Sequence, residues 1–163
     1  MIYSNFGGAE VSFGRNYIAD LDSNGSKDFL AYTLLVGDPI LQRDYQQYHL
    51  SVSIQANLPV DAHESTPLLA KNAVISATAF PGYNWYNATD IVIAQKVIGV
   101  SDAPFWEGNW KDAAHGYLAL QIVRGGLVYN GWMELSFDAA GGKIILHRAA
   151  VCKEAGQEIK AGV

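Results

Sequence analysis

Residues 20–28 read Asp20-Leu21-Asp22-Ser23-Asn24-Gly25-Ser26-Lys27-Asp28, with oxygen-bearing side chains at the first, third, fifth and ninth places and glycine at the sixth. Alternate positions of a tight loop can all turn inward, and glycine permits the backbone conformation that closes it. Calcium is a hard cation that takes about six to eight oxygen ligands. The spacing therefore predicts an ion loop: Asp20, Asp22, Asn24 and Asp28 supply side-chain oxygens, and Ser26 a backbone carbonyl. Three carboxylates neutralise a divalent ion with one negative charge over, and no acid or base stands beside them. The expected cofactor is calcium and its expected role is structural. The competing reading is a plain polar turn, since Asp, Asn, Ser and Gly are also ordinary turn residues.

The flanks decide what the loop connects. A helix-flanked calcium loop carries a bidentate Glu at its twelfth place, where this chain has Ala31. The run Phe29-Leu30-Ala31-Tyr32-Thr33-Leu34-Leu35-Val36 is aromatic, β-branched and aliphatic and reads as a strand. The loop thus joins two strands. It resembles the Asp-rich loop of FG-GAP-type repeats, in which the last Asp precedes apolar residues as in Asp28-Phe29-Leu30. A propeller needs several such repeats and the chain has one copy, so the resemblance covers the loop and not the fold.

Other chemistry is sparse. His49, His63, His115 and His147 show no helix-type metal spacing, and His63 with Asp61 and Glu64 reads as a solvated loop. Cys152 lies five residues from His147; an odd separation on one strand sends them to opposite faces, and Cys152 is expected to be a small buried apolar residue. No nucleophile elbow or phosphate loop is present. Glu107, Asp112 and Glu134 are the carboxylates that a glycosidase pair would draw on. The aromatics form the fuller cluster: Tyr83, Trp85 and Tyr86 follow Pro81-Gly82, and Phe105, Trp106 and Trp110 surround Gly108-Asn109. Exposed, such rings stack on sugars. Buried, they cap the end of a sandwich with the ring inside and the polar tip bonded; capping is the expectation.

A chain of 163 residues fits one domain, 1–163, able to bury a core without disulfide staples. Its net charge of −5, from 11 Lys+Arg against 16 Asp+Glu, argues against nucleic acid or an anionic membrane as partner. No apolar stretch approaches a membrane span. Charged residues are 17%, below the usual quarter, and the low-charge, Tyr-rich composition points to secretion or the cell surface, although no signal sequence is visible.

Strict alternation marks residues 48–56 as a half-buried strand, with Tyr48, Leu50, Val52 and Ile54 on the core face. Further strands are expected at 10–19, 29–36, 74–80, 91–98, 117–123, 131–138, 143–151 and 158–160, with long loops at 58–72 and 101–114. Gly125-Gly126 and Gly141-Gly142 read as hairpin turns, making the C-terminal third a meander. Leu118, Leu120, Leu135 and Ile144 complete the expected core. About nine short strands in one domain favour an all-β antiparallel β-sandwich of jelly-roll type.

The C-terminal third contains Gly116-Tyr117-Leu118-Ala119-Leu120, then Tyr129-Asn130-Gly131-Trp132-Met133-Glu134-Leu135, then Gly142-Lys143-Ile144-Ile145-Leu146, and closes on Gly156-Gln157-Glu158-Ile159-Lys160-Ala161-Gly162. This resembles the ending of uncharacterised bacterial exported β-domains, which carry a Tyr-Gly-Trp strand and a final Gly-x-x-Ile-x-Ala-Gly, several with an early Asp-rich loop. Asn130 departs from the pattern, and residues 58–112 lie outside it. The resemblance implies a secreted or surface-attached β domain and no particular activity. The expectation is a non-catalytic module for adhesion or envelope architecture, with a glycan or another surface protein as partner and neither nucleic acid nor membrane insertion. The alternatives are a carbohydrate-binding module using Trp85, Tyr86, Trp106 and Trp110, and a small glycoside hydrolase.

Overall fold

Period-two alternation, repeated glycine turns and the lack of any helical apolar stripe yield thirteen strands and no helix in the computed structural model, which describes residues 1–163. Two antiparallel sheets face each other. The first runs β1 (Ile2–Val11), β12 (Lys143–Val151), β11 (Leu127–Asp138), β10 (Gly116–Arg124), β5 (Ala56–Val60), β7 (Asn84–Asn87). The second runs β2 (Tyr17–Ala19), β3 (Phe29–Asp38), β4 (Arg43–Val52), β8 (Asp90–Gly99), β9 (Phe105–Glu107). A short pair, β6 (Val74–Ile75) with β13 (Ile159–Lys160), lies apart from both. The all-β sandwich expected from the sequence is the fold observed.

The main core lies between the sheets. Phe29, Leu50 and Ile93 from one meet Leu118, Leu120, Met133 and Leu135 from the other, all 2% exposed or less. A second apolar cluster sits on the opposite face of the first sheet, where Tyr117, Ala119, Trp132 and Ala150 pack with Ile75 and Ala161. The β6–β13 layer therefore covers part of that face, and β10 is buried on both sides along most of its length.

Gly131 and Gly162 show what the C-terminal pattern is for. A Cβ at Gly131 would lie 2.8 Å from the Ala150 carbonyl oxygen and from Leu120 Cδ1, so the strands approach too closely for a side chain. Gly162, at φ +77°, lies against the Tyr117 ring. Asn130 bridges the buried Gln121 side chain (3.0 Å) and the Gln157 carbonyl (2.7 Å), tying the C-terminal segment to β11.

The structure corrects several sequence expectations. The segment 10–19 is two strands separated by a turn at Ser12 and Arg15. Ile54 is 73% exposed, because β4 ends at Val52 and the chain turns before its alternation can continue. The segment 74–80 is strand only at Val74–Ile75. The expected loops contain β5 at their border, and β9. Tyr83 precedes a strand, β7, that takes in Trp85 and Tyr86.

Candidate metal centre

The Asp-rich loop joins β2 to β3, as the flanking sequence requires. Leu21 anchors it, 1% exposed in the main core, and so the residues on either side of Leu21 turn away from the apolar interior. The backbone N–H groups of Gly25 (2.7 Å) and Asn24 (3.2 Å) donate to the Asp20 carboxylate, closing the turn at Gly25, whose φ is +92°. At the far end the Asp28 N–H donates to the Ala19 carbonyl and the Asp28 carbonyl accepts from Ser53, so both strand ends are pinned.

Asp20, Asp22 and Asp28 converge: one carboxylate oxygen from each lies within 4.8 Å of the others. Asp22 and Asp28 are buried, at 5% and 1% exposure. Asp28 Oδ2 accepts the Leu21 N–H at 2.8 Å, but its Oδ1 is buried with no hydrogen-bond partner. The Arg124 Nε lies 3.4 Å from Asp22 Oδ2 without hydrogen-bond alignment, and its guanidinium rests 3.9 Å from the Tyr129 ring centre. Arg124 ends β10 and the Asp loop opens β3, so the cluster stands where the two sheets meet.

The electrostatics follow this crowding. Burial pushes the Asp28 carboxyl above its ordinary range; the Leu21 N–H pulls it back, but repulsion from Asp22 and Asp20 adds to the rise. Asp20 goes the other way. Slight burial raises it, and the loop N–H groups, Gly25 first, outweigh that and hold it below. A buried, unpartnered carboxylate oxygen facing two other carboxylates is an expensive arrangement for a fold to keep.

Of the five predicted ligands, Asp20, Asp22 and Asp28 converge through their carboxylates, and Asn24 meets Asp22 through its amide. Asn24 is exposed and its amide is used within the loop: Nδ2 donates to Asp22 (3.1 Å) and Oδ1 accepts the Ser26 N–H (2.7 Å). Ser26 is exposed at the loop tip.

The aromatics do not share a surface. Trp110 is fully buried and donates Nε1–H to the Thr66 carbonyl (3.2 Å), so it is a core cap and not a stacking face. Trp106 is half-buried against Tyr48 and Phe137 in the main core. Trp85 packs with Phe80 in the second cluster, on the other sheet. Tyr86 alone is half exposed.

The carboxylates named for glycosidase chemistry are also separated by the fold. Glu107 lies on β9 and accepts from Gln95, Asp112 pairs with Lys111 in a loop, and Glu134 lies on the outward face of the other sheet. Asp61 caps the N–H groups of His63 and Ser65 at 2.9 Å each, an exposed turn as expected. Cys152 is buried and free. The parity argument that separated it from His147 fails, because β12 changes register at His147; distance keeps them apart, since five residues of strand span about 16 Å.

Sequence reasoning missed a polar network on the outward face. Glu134 takes the Arg148 Nε–H at 2.6 Å and the His115 ring at 2.7 Å, and the Ser136 hydroxyl meets His147 Nε2 at 2.8 Å. The His115 and His147 rings stack 4.2 Å apart. Burial raises Glu134, but Arg148 and His115 outweigh it and hold the carboxyl below its usual range. Burial, and the facing His115, push His147 down. The signal available was Glu134 and Ser136 at alternate positions of one strand, which share a face.

No known protein family, curated protein or solved structure matches the chain.

Proposed function

We propose that this chain is a non-catalytic secreted or cell-surface β-sandwich module, serving adhesion or envelope architecture, whose sheet junction is held by a calcium ion on Asp20, Asp22 and Asp28. The observation that carries the reading is the Asp28 Oδ1 atom, buried and without a partner amid two further carboxylates. A cation would supply the missing partner. An all-carboxylate set suits a hard ion, and calcium tolerates irregular oxygen geometry that magnesium does not. The charges also close: three carboxylates and Arg124 leave a deficit that a divalent ion cancels. In this reading the ion joins the β2–β3 loop of one sheet to the β10 end of the other. The test is a thermal melt in chelator and in calcium, with direct calorimetric titration. Calcium should raise the midpoint, by RT ln(1 + [L]/Kd), or about 2.7 kcal/mol at a hundredfold excess over Kd. An unmoved melt with no heat of binding would leave the loop a turn.

One observation favours a second reading, carbohydrate binding. The half-exposed Tyr86 ring lines a cleft of about 280 Å³ with Asp61, Glu64, Thr89 and Asp90. A ring face beside hydroxyl-bonding oxygens suits a sugar, and a glycan array on the wild type and on Tyr86→Ala tests it.

A further inference from the structure

The first sheet carries two irregularities at one level. β12 pairs Arg148 with Asn5 on one side and Glu134 on the other, while Leu146 pairs with Ala9 and with Leu135. His147 is therefore an extra residue on β12 relative to β11, a β-bulge. β1 has its own extra residues opposite it, including Gly7 and Gly8 at φ +63° and +77°.

The β12 bulge changes which side chains face outward. Ile144 and Leu146 point into the main core, and so do Ala149 and Val151, three residues further on and not two. His147 and Arg148 consequently both turn outward, onto the face that already carries Glu134 and Ser136. A regular strand would bury one of them. Bulges cost ladder hydrogen bonds and are often placed where a side chain must be re-aimed, and the paired glycines add an entropic cost.

Between the two bulges lies a cleft of about 460 Å³, lined by Ser4, Asn5, Gly7, Gly8, His147 and Arg148 among others. Its lining also includes the Glu134 carboxylate. Both oxygens of the buried Glu134 are committed, to Arg148 and to His115, so this carboxylate holds the Arg148 guanidinium in place. That guanidinium makes one well-aligned hydrogen bond, through Nε, with the Tyr117 hydroxyl also near enough to favour its charge. The Trp132 ring centre lies 5.3 Å from its central carbon, and the N–H groups turned neither to Glu134 nor to Tyr117 remain for a ligand. The Ser136 oxygen accepts the His115 backbone N–H (2.9 Å) and meets His147 Nε2 at 2.8 Å, so the serine holds the His147 ring in place beside the cleft. Asn5 accepts the Gly7 N–H through its oxygen, so its amide nitrogen is also a free donor.

We propose that this cleft binds an oxyanion, a carboxylate or phosphate group carried by a small ligand, held by the Arg148 guanidinium with the Asn5 amide as accessory donor. A planar, pre-oriented guanidinium is the group best matched to two oxygens of such an anion. The site is separate from the Asp cluster and stands or falls independently of it.

The test is a side-chain and backbone NMR titration of the full chain with sodium acetate and with inorganic phosphate, against sodium chloride at matched ionic strength and a neutral sugar. Saturable shifts of the Arg148 Nε–H and the Gly7 and Gly8 amides with either oxyanion support the proposal. Acetate alone marks a carboxylate ligand, phosphate alone a phosphoryl one. Arg148→Gln should weaken binding roughly tenfold or more, the loss expected for a charge-assisted fork. Arg148→Lys keeps the charge beside Glu134 and guards against a folding artefact; it should bind more weakly than wild type for want of the fork. Shifts reproduced by chloride, absent with both anions, or unchanged in both variants overturn the proposal.

Discussion

The substitution Asp28→Asn should reverse its sign with calcium. In chelator the wild type keeps a buried carboxylate oxygen with no partner, repelled by Asp20 and Asp22. The asparagine oxygen can still accept the Leu21 N–H that Asp28 Oδ2 takes at 2.8 Å, and its amide nitrogen becomes a donor aimed at two carboxylates. Leaving such a group unsatisfied costs about 1–3 kcal/mol, so the variant should be more stable by about that much without the ion. For a chain of this size each kcal/mol moves the midpoint by about 2–4 °C. In calcium the order should invert. The wild type gains about 4.1 kcal/mol at a thousandfold excess over Kd, more than the variant's advantage, and the variant, having lost a charged ligand, should gain little. Differential scanning calorimetry of both proteins, with chelator and with calcium, gives four midpoints whose lines must cross. A variant that melts lower in both conditions would mean that Asp28 is a structural strut in its ionised form. One that melts higher in both would mean that the cluster holds no ion.

Arg124→Gln removes the cation nearest the cluster and should tighten calcium several-fold by calorimetry; weaker binding would refute Arg124 as a competing charge and make it a clamp. Trp110→Ala should cost about 3–5 kcal/mol, as a large-to-small core change, whereas Trp106→Ala, half-buried at an edge strand, should cost less; equal midpoint shifts would contradict the burial difference. Acidification should destabilise the outward network in two stages. Both folded pKa values are depressed, so the stabilising contribution is present above the unfolded values and lost as pH falls through the folded ones. The loss sets in as pH falls below about 6.5 for His147 and below about 4.3 for Glu134, the unfolded values. Denaturant melts of His147→Gln and Glu134→Gln against pH should each flatten one stage.

The loop was legible because ligand spacing is local: Asp20, Asp22 and Asp28 alternate along one turn, and their convergence needs no knowledge of the fold. Asn24 and Ser26 fitted the spacing equally well, but an amide can satisfy itself on Asp22 and the Ser26 N–H, which spacing does not reveal. Alternation placed Leu50 and Val52 correctly and failed at Ile54, where the chain turns before the pattern ends. It failed in the opposite way at His147, where the pattern skips a residue and the strand continues. The β1 strand was hidden by Gly7-Gly8, and β7 by Pro81-Gly82 beside it, since turn-forming residues mask short edge strands. Trp110 and Trp132 were visible as aromatics, but only packing decides which rings go inside.

The pairing of β1 has a consequence for how the molecule is made. In its sheet β1 has one neighbour, β12, with Ile2 opposite Val151. Synthesis runs at about 5–20 residues per second, so the first strand waits roughly 7–30 s for its partner. Throughout that interval its backbone groups are open to pairing with other nascent chains. A flat unpaired strand is the usual template for such errors, and a bulge spoils the template. Gly7 and Gly8 break β1 in its middle, so the kink that shapes a cleft in the finished sheet also guards the unfinished one against misassembly on the ribosome.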